Sequence, residues 1–176
     1  MQNVIRDRMT HEYDGELVVF RVGLRINDWK RPDLWVPPFR SLRRMLRELR
    51  EDPDSGLLGA TSHIDRDGPS QTQYWSSLDK LYASARSGAT SHRTAWNIFS
   101  RATRKTGGVV GIWHETFLVD RAESLYIATP AMGLARATTL VPAGHGDGDG
   151  RERLAAGETH AHTSAAAPGR DTAEVR

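Results

Sequence analysis

Two histidines and the groups around them are the residues of this chain best able to do chemistry. His114 lies in the run Gly111–Phe117, inside a β-branched and aromatic stretch from Val109 to Val119 that reads as a strand. Side chains alternate along a strand, so His114 shares a face with Val110, Ile112, Thr116 and Leu118, while the adjacent Glu115 points the other way. At most one of that pair lines a given pocket. On an apolar face an imidazole fits a general base, a proton shuttle or a haem ligand, because small shifts carry its titration across neutral pH. The same position also fits a core histidine satisfied by a backbone carbonyl or a neighbouring hydroxyl. His92 opens a helical piece on the side of Trp96 and Phe99, which turns it toward the sheet and His114, or else leaves it half exposed at a helix N-terminus.

Trp75, Trp96 and Trp113 offer large flat surfaces, and a planar apolar ligand would stack on such rings; Trp96, Trp75 and Phe99 are the expected substrate contacts. Arg25 and Asn27 lie together on the first strand, opposite its most apolar face. An arginine there suits a carboxylate, a haem propionate or an enolate oxygen through a charge-assisted bond, or an interface ion pair with Glu115 of either subunit. His114, His92, Arg25 and Asn27 are thus the candidate catalytic set. The arginines of the first helix (Arg40, Arg43, Arg44, Arg47, Arg50) fall away from its apolar stripe and read as a solvated face outside that set; phosphate binding there is the weaker alternative, because nothing aromatic is interleaved with them. The tail holds a lone H-x-H, His160 and His162, with no fixed third and fourth ligand, so no metal site is expected.

The elements that must position these residues follow from two hydrophobic periods. From Leu17 to Ile26 the residues Val18, Phe20, Val22, Leu24 and Ile26 line one face of a strand. Pro37 and Pro38 suit a first helical turn, and Leu42, Met45, Leu46 and Leu49 then recur at helical spacing, which predicts a helix from about Pro38 to Glu51. Gly56 to Ile64 and Gln71 to Ser76 read as a hairpin around Asp65, Asp67, Gly68 and Pro69. Ser77 caps a helix carrying Leu78, Leu81, Tyr82 and Ala85, a second helical piece starts near Ser91, and Gly107 and Gly108 end it before the strand that holds His114. A weaker strand is predicted at 124–128. The order gives an α+β fold with a ferredoxin-like βαββαβ sheet. Its helices cover one face, and a homodimer would bury the other.

Composition narrows the classes further. The chain has 176 residues, which suits one domain, and no cysteine, which excludes disulfides, thiol catalysis and Cys-ligated metal or Fe–S centres. The net charge is only +2, so no nucleic acid is expected as a partner. The longest apolar run is far short of the roughly 20 residues of a membrane span, and the chain reads as cytoplasmic with no membrane partner. There is no G-x-G-x-x-G after a strand, no Walker loop and no G-x-S-x-G elbow, so nucleotide-dependent hydride transfer, phosphoryl transfer and typical serine hydrolysis lack their motifs. A flavin site has no single motif to look for. We divide the chain into an N-terminal arm (1–15), one domain (16–142) and a tail (143–176) whose Gly, Ala and charged composition predicts disorder.

Several stretches carry a resemblance: GLRIN (Gly23–Asn27), PPFRSLRRMLREL (Pro37–Leu49), QYW (Gln73–Trp75), AWNIFSR (Ala95–Arg101), GIWHETF (Gly111–Phe117) and ESLYIATPAMGLARA (Glu123–Ala137). In collinear order over about residues 16 to 140, they resemble a monooxygenase-like family of bacterial and fungal proteins that includes a fumagillin-pathway monooxygenase. The resemblance implies a dimeric α/β barrel of the antibiotic-biosynthesis monooxygenase kind, with relatives that bind haem or oxidise small aromatic or terpenoid substrates. Phe117 stands where the family usually has Tyr, Ala128 and Ser100 where it has Asn, and Met132 where it has Phe. On this basis the chain is expected to be a small oxidoreductase, monooxygenase-like, acting on a planar or polycyclic secondary metabolite without an organic cofactor. Haem binding in the manner of aldoxime dehydratases and non-catalytic binding of an apolar ligand are the alternatives.

Overall fold

A computed structural model describes residues 4–86, 107–144, 150, 151 and 154. Strand β1 (Met9–Glu12) precedes the long β2 (Leu17–Ile26), helix α1 (Pro32–Glu51), the hairpin β3 (Leu57–Ile64) and β4 (Pro69–Trp75), and helix α2 (Leu78–Arg86). Then come β5 (Val110–Val119), the short α3 (Gly133–Ala137) and β6 (Thr139–Pro142). The main sheet is four-stranded in the order β3-β4-β2-β5, and its pairings are antiparallel. With β1 and β6 set aside, this is the ferredoxin-like arrangement, in which the first strand of the repeat lies inside and the last forms an edge.

Even-numbered residues of β2 make the core. Leu24 packs with Val110, Leu42 and Met45 beneath α1, and Val18 packs with Trp75 and Leu81 beneath α2. β4 alternates strictly, with Pro69, Gln71, Gln73 and Trp75 buried. Two of those are glutamines, whose amides need partners in an apolar layer. They find them in each other. The Trp75 indole N–H donates to Gln73 Oε1 (3.1 Å), Gln73 Nε2 donates to Gln71 Oε1 (2.9 Å), and Gln71 Nε2 lies 3.5 Å from the Leu42 carbonyl. This relay is possible because residues two apart on a strand share a face.

Local chemistry places the ends of the elements. Ser77 accepts the Lys80 N–H at 3.1 Å and Glu16 accepts the Leu78 N–H at 2.9 Å, so two side chains satisfy the start of α2. In the hairpin, Asp65 Oδ1 accepts from the backbone N–H groups of Asp67 (2.8 Å) and Gly68 (3.2 Å). Gly68 lies at φ +135° with its α-carbon against the Leu24 carbonyl, where no side chain fits.

Two expectations need correction. Helix α1 begins at Pro32, six residues before the predicted start, and Pro37 and Pro38 lie within it. Pro32 sits where a missing N–H costs nothing. Trp35, packed against the Leu24 cluster, anchors this first section although Pro37 and Pro38 cannot donate to the carbonyls one turn back. Residues 124–128 form no continuous strand either. Tyr126 instead exchanges two backbone hydrogen bonds of 2.9 Å with Met9 as an isolated bridge.

β1 and β6 pair as a separate two-stranded sheet, from Met9 opposite Pro142 to Glu12 opposite Thr139. With α3 they cover part of the sheet face turned away from the helices. Gly59 on β3 leaves room for Ala137, and Arg136 Nη2 donates to the Ala60 carbonyl (3.1 Å) and to Thr61 Oγ1 (3.2 Å). His11 Nδ1 meets Ser124 Oγ at 2.7 Å, and burial pushes this imidazole below the usual histidine range, partly opposed by Glu123.

The relay sets up the first test. Gln73→Leu keeps the shape but removes the acceptor for the Trp75 indole and the donor for Gln71. A buried donor left without a partner costs roughly 1–3 kcal/mol. Urea denaturation should show a loss of that size; unchanged stability would mean the relay contributes nothing.

Candidate functional site

His114 reaches its place through the register of β5 on β2. It lies opposite Val22, and Val22 lies opposite Gln71 on its other edge, so the three form one row across the helix-facing side of the sheet. Thr116, Phe20 and Gln73 form the next row. The His114 ring stands 5.7 Å from that of Phe20, tilted by 39°. The face is the one expected from the sequence, but His114 is exposed in the structure, as are Thr116 and Leu118. In these two rows Val22 and Phe20 are half-buried, and the buried members are Gln71 and Gln73, two strands further in. The arrangement is thus an imidazole at an open margin of an apolar layer, with a hydroxyl two residues away and an aromatic wall beside it. Such a group can take a proton from a ligand lying flat on the sheet.

The structure separates the other candidates from His114. Glu115 points to the opposite face, where it forms a 3.0 Å ion pair with Arg21, and the Arg21 guanidinium stacks over Trp113 at 5.4 Å. Trp113 in turn lies over Gly23, where a β-carbon would come within 2.8 Å of the indole. Arg25 shares that face. It forms an ion pair with Asp67 and donates through Nε to Asn27 Oδ1 (3.1 Å), while Asn27 Nδ2 donates to the Gly108 carbonyl (2.8 Å). Arg25 and Asn27 therefore tie the end of β2 to the hairpin turn and to the loop before β5. Within one chain they cannot meet a substrate held by His114. Trp75 is 1% exposed, packed by Val18 and Leu81, and its indole N–H is committed to Gln73. It has no face left for stacking. His92, Trp96 and Phe99 lie outside the described residues, as does Ser100.

Sequence reasoning missed two features. The first is the Gln71–Gln73–Trp75 relay, signalled by Q-x-Q-x-W with its period of two. The second is a groove of 630 Å³ between α1 and the β3–β4 hairpin, lined in part by Arg40, Arg43 and Arg47. The helix arginines thus form one wall of a concavity as well as a solvated face. Among the described residues no group of three or more His, Asp or Glu is placed to hold a metal ion, and no helix is long and apolar enough to cross a membrane.

Residues 17–134, the span that holds β2, the hairpin and the His114 strand, match the family described as Monooxygenase af470-like. The chain belongs to this family. No curated protein matches it. Among solved structures it resembles the aldoxime dehydratase OxdRE in complex with butyraldoxime, at 15% identity and a TM-score of 0.57 over 87% of this chain and 44% of that one. It thus spans less than half the length of that protein. It is also similar to SnoaB, a cofactor-independent oxygenase from Streptomyces nogalater (16% identity, TM-score 0.41, 61% of this chain and 97% of that one). A dimeric ferredoxin-like protein from Thermobifida fusca is similar at 14% identity and a TM-score of 0.42, over 68% of this chain and 99% of that one. At these identities the likeness is one of fold.

One departure from the family pattern has a structural meaning. Ala128 adopts φ +53°, a left-handed conformation that costs an alanine about 1 kcal/mol and that Asn or Gly tolerates better. An asparagine here would suit the turn of the backbone without any reactive role. Ala128→Asn should raise the stability of the protein by roughly 0.5–1 kcal/mol. A thermal melt that shows no gain would place the strain elsewhere.

Proposed function

We propose that this protein is a small monooxygenase-like oxidoreductase that acts on a planar or polycyclic secondary metabolite lying against the helix-facing side of the sheet. Membership of the Monooxygenase af470-like family supports the reaction class. The observation that carries the site is the exposed His114 beside Phe20, on the face that α1 and α2 flank. His114 takes a C–H proton from a substrate whose carbanion is stabilised by its own rings. The carbanion reduces molecular oxygen directly; one oxygen atom stays on carbon as a new carbonyl and the other leaves as water with the two hydrogens of the original CH₂. Phe20 and Leu118 supply the apolar surface on which a flat substrate rests, and Thr116 offers a hydroxyl to a substrate oxygen. No step in this scheme needs an organic cofactor.

His114→Ala should lower oxygen uptake with polycyclic phenols that carry a reactive ring CH₂ by at least roughly 10²-fold, the usual size of a general-base contribution, with the melting temperature little changed. Full turnover in the variant would overturn the assignment. A Soret band in the purified protein would replace it with haem ligation by the same imidazole.

A second copy fits the uncovered part of the opposite face, where Trp113 and Val19 are half-buried and Phe117 is 48% exposed. A homodimer with facing sheets would bury this apolar row and complete a dimeric barrel. Sedimentation should give about twice the 19.6 kDa mass of one chain; a monomer at micromolar concentration would rule the dimer out.

A further inference from the structure

We propose that the groove between α1 and the β3–β4 hairpin binds an organic oxyanion, a carboxylate or phosphate carried on a compact apolar body. The groove measures 630 Å³, within the roughly 300–1,000 Å³ of small-molecule sites. One wall is a stripe of α1. Arg40, Arg43, Arg47 and Arg50 recur at helical spacing over about 15 Å, at 1.5 Å per residue. Arg44 also lines the groove, and no Asp or Glu does.

The partners of these arginines are unequal. Arg44 pairs with Glu48 at 2.8 Å, Arg47 approaches Glu51 at 3.9 Å, and Arg50 donates to the Ala60 carbonyl at 2.9 Å. Arg40 and Arg43 form no ion pair among the described residues, and the Arg43 guanidinium is stacked 5.9 Å above the Phe39 ring. A guanidinium set over an aromatic ring keeps its N–H donors available, and its planar fork suits a carboxylate or phosphate. The opposite wall comes from the hairpin, with Ser62, His63 and Ser70 supplying polar atoms. Between the walls Leu42, Leu46 and Ile64 are apolar, and Ile64 is 70% exposed. Gln71 closes the inner end, its amide oriented by the bond from Gln73. Charge on one wall, hydroxyls on the other and hydrocarbon between them describe an amphiphilic anion. A polynucleotide fits less well, because Glu48 and Glu51 pair with Arg44 and Arg47 and the concavity is short.

This site does not depend on the oxidoreductase reading, and its test needs no turnover. The full chain is titrated at low salt with 1-naphthyl phosphate, 2-naphthoate and neutral 2-naphthol, in wild type, in Arg40→Gln/Arg43→Gln, in Arg40→Lys/Arg43→Lys and in His114→Ala. Both arginines are exposed, so the melting temperature should stay within a few degrees and confirm that the variants fold. At least one anion should bind tenfold or more tightly than 2-naphthol, and the tighter of the two assigns the group as phosphate or carboxylate. Its Kd should rise at least tenfold in the glutamine variant and less in the lysine variant, and should not change in His114→Ala. Equal affinity for 2-naphthol, unchanged anion affinity in the glutamine variant, a loss in His114→Ala, or displacement of the probe by a short DNA duplex at equal concentration would each overturn the proposal.

Discussion

β2 is hydrogen-bonded along both edges, to β4 on one side and to β5 on the other. A strand held in this way cannot rotate about its axis, and a slip of one residue would move every side chain to the wrong face. Val18, Leu24 and Ile26, all nearly inaccessible, commit the even residues to the helices. Arg21, Gly23 and Arg25 are thereby committed to the other side. The register then carries the choice outward. Val22 fixes the face of His114 on one neighbour and of Gln71 on the other, and Val18 does the same for Leu118 and Trp75. The chemistry of the molecule is distributed by the parity of one strand.

Features set by local chemistry or by strand parity were legible in the sequence. The alternation of β2, the Asp65–Gly68 turn, the Ser77 cap and the long β5 all follow from residues a few positions apart. The start of α1 was not legible in that way. Two prolines at 37 and 38 are a strong local signal for a first turn, but the packing of Trp35 against a core cluster outweighs it, and that cluster draws on β2 and β5 as well as α1. The β1–β6 sheet was less legible still. It joins two four-residue strands from opposite ends of the described chain, too short to show a period, and closing such a loop leaves no mark in either segment. Leu125 and Ile127 mimic a strand by alternation. The left-handed turn at Ala128 and the single bridge at Tyr126 end it before it starts.

The candidate site divides along the same line. Parity alone separates His114 from Glu115 and sets Arg25 and Asn27 across the sheet, and the structure keeps that division. Parity cannot say how deep a residue lies. Trp75 carries the same alternation signal as a ligand-stacking tryptophan, yet the two glutamines upstream turn it into the end of a buried hydrogen-bond chain. The groove was illegible for a different reason. Arginines on the polar side of a helix read as solvated until a second wall is known, and that wall is the hairpin, whose position over α1 is tertiary.

α1 serves the core and the groove with adjacent stripes. Leu42, Met45 and Leu46 are buried, while Arg40, Arg43 and Arg47 are exposed beside them, so the aliphatic stems of the arginines lie at the border of the apolar layer. The two glutamates on the same helix partly neutralise this stripe without blocking it. Arg47 and Glu51 are both about two-thirds exposed, and an ion pair in that setting contributes at most about 1 kcal/mol. An entering anion that makes two charge-assisted bonds offers each guanidinium more than the pair it replaces, at about 1.5–3 kcal/mol per bond. The balance proposed at His114 differs, because Phe20 and Leu118 offer apolar surface there and contact with it would supply the affinity. If both proposals hold, the two sites read different properties of a ligand, charge at the arginine stripe and shape beside Phe20.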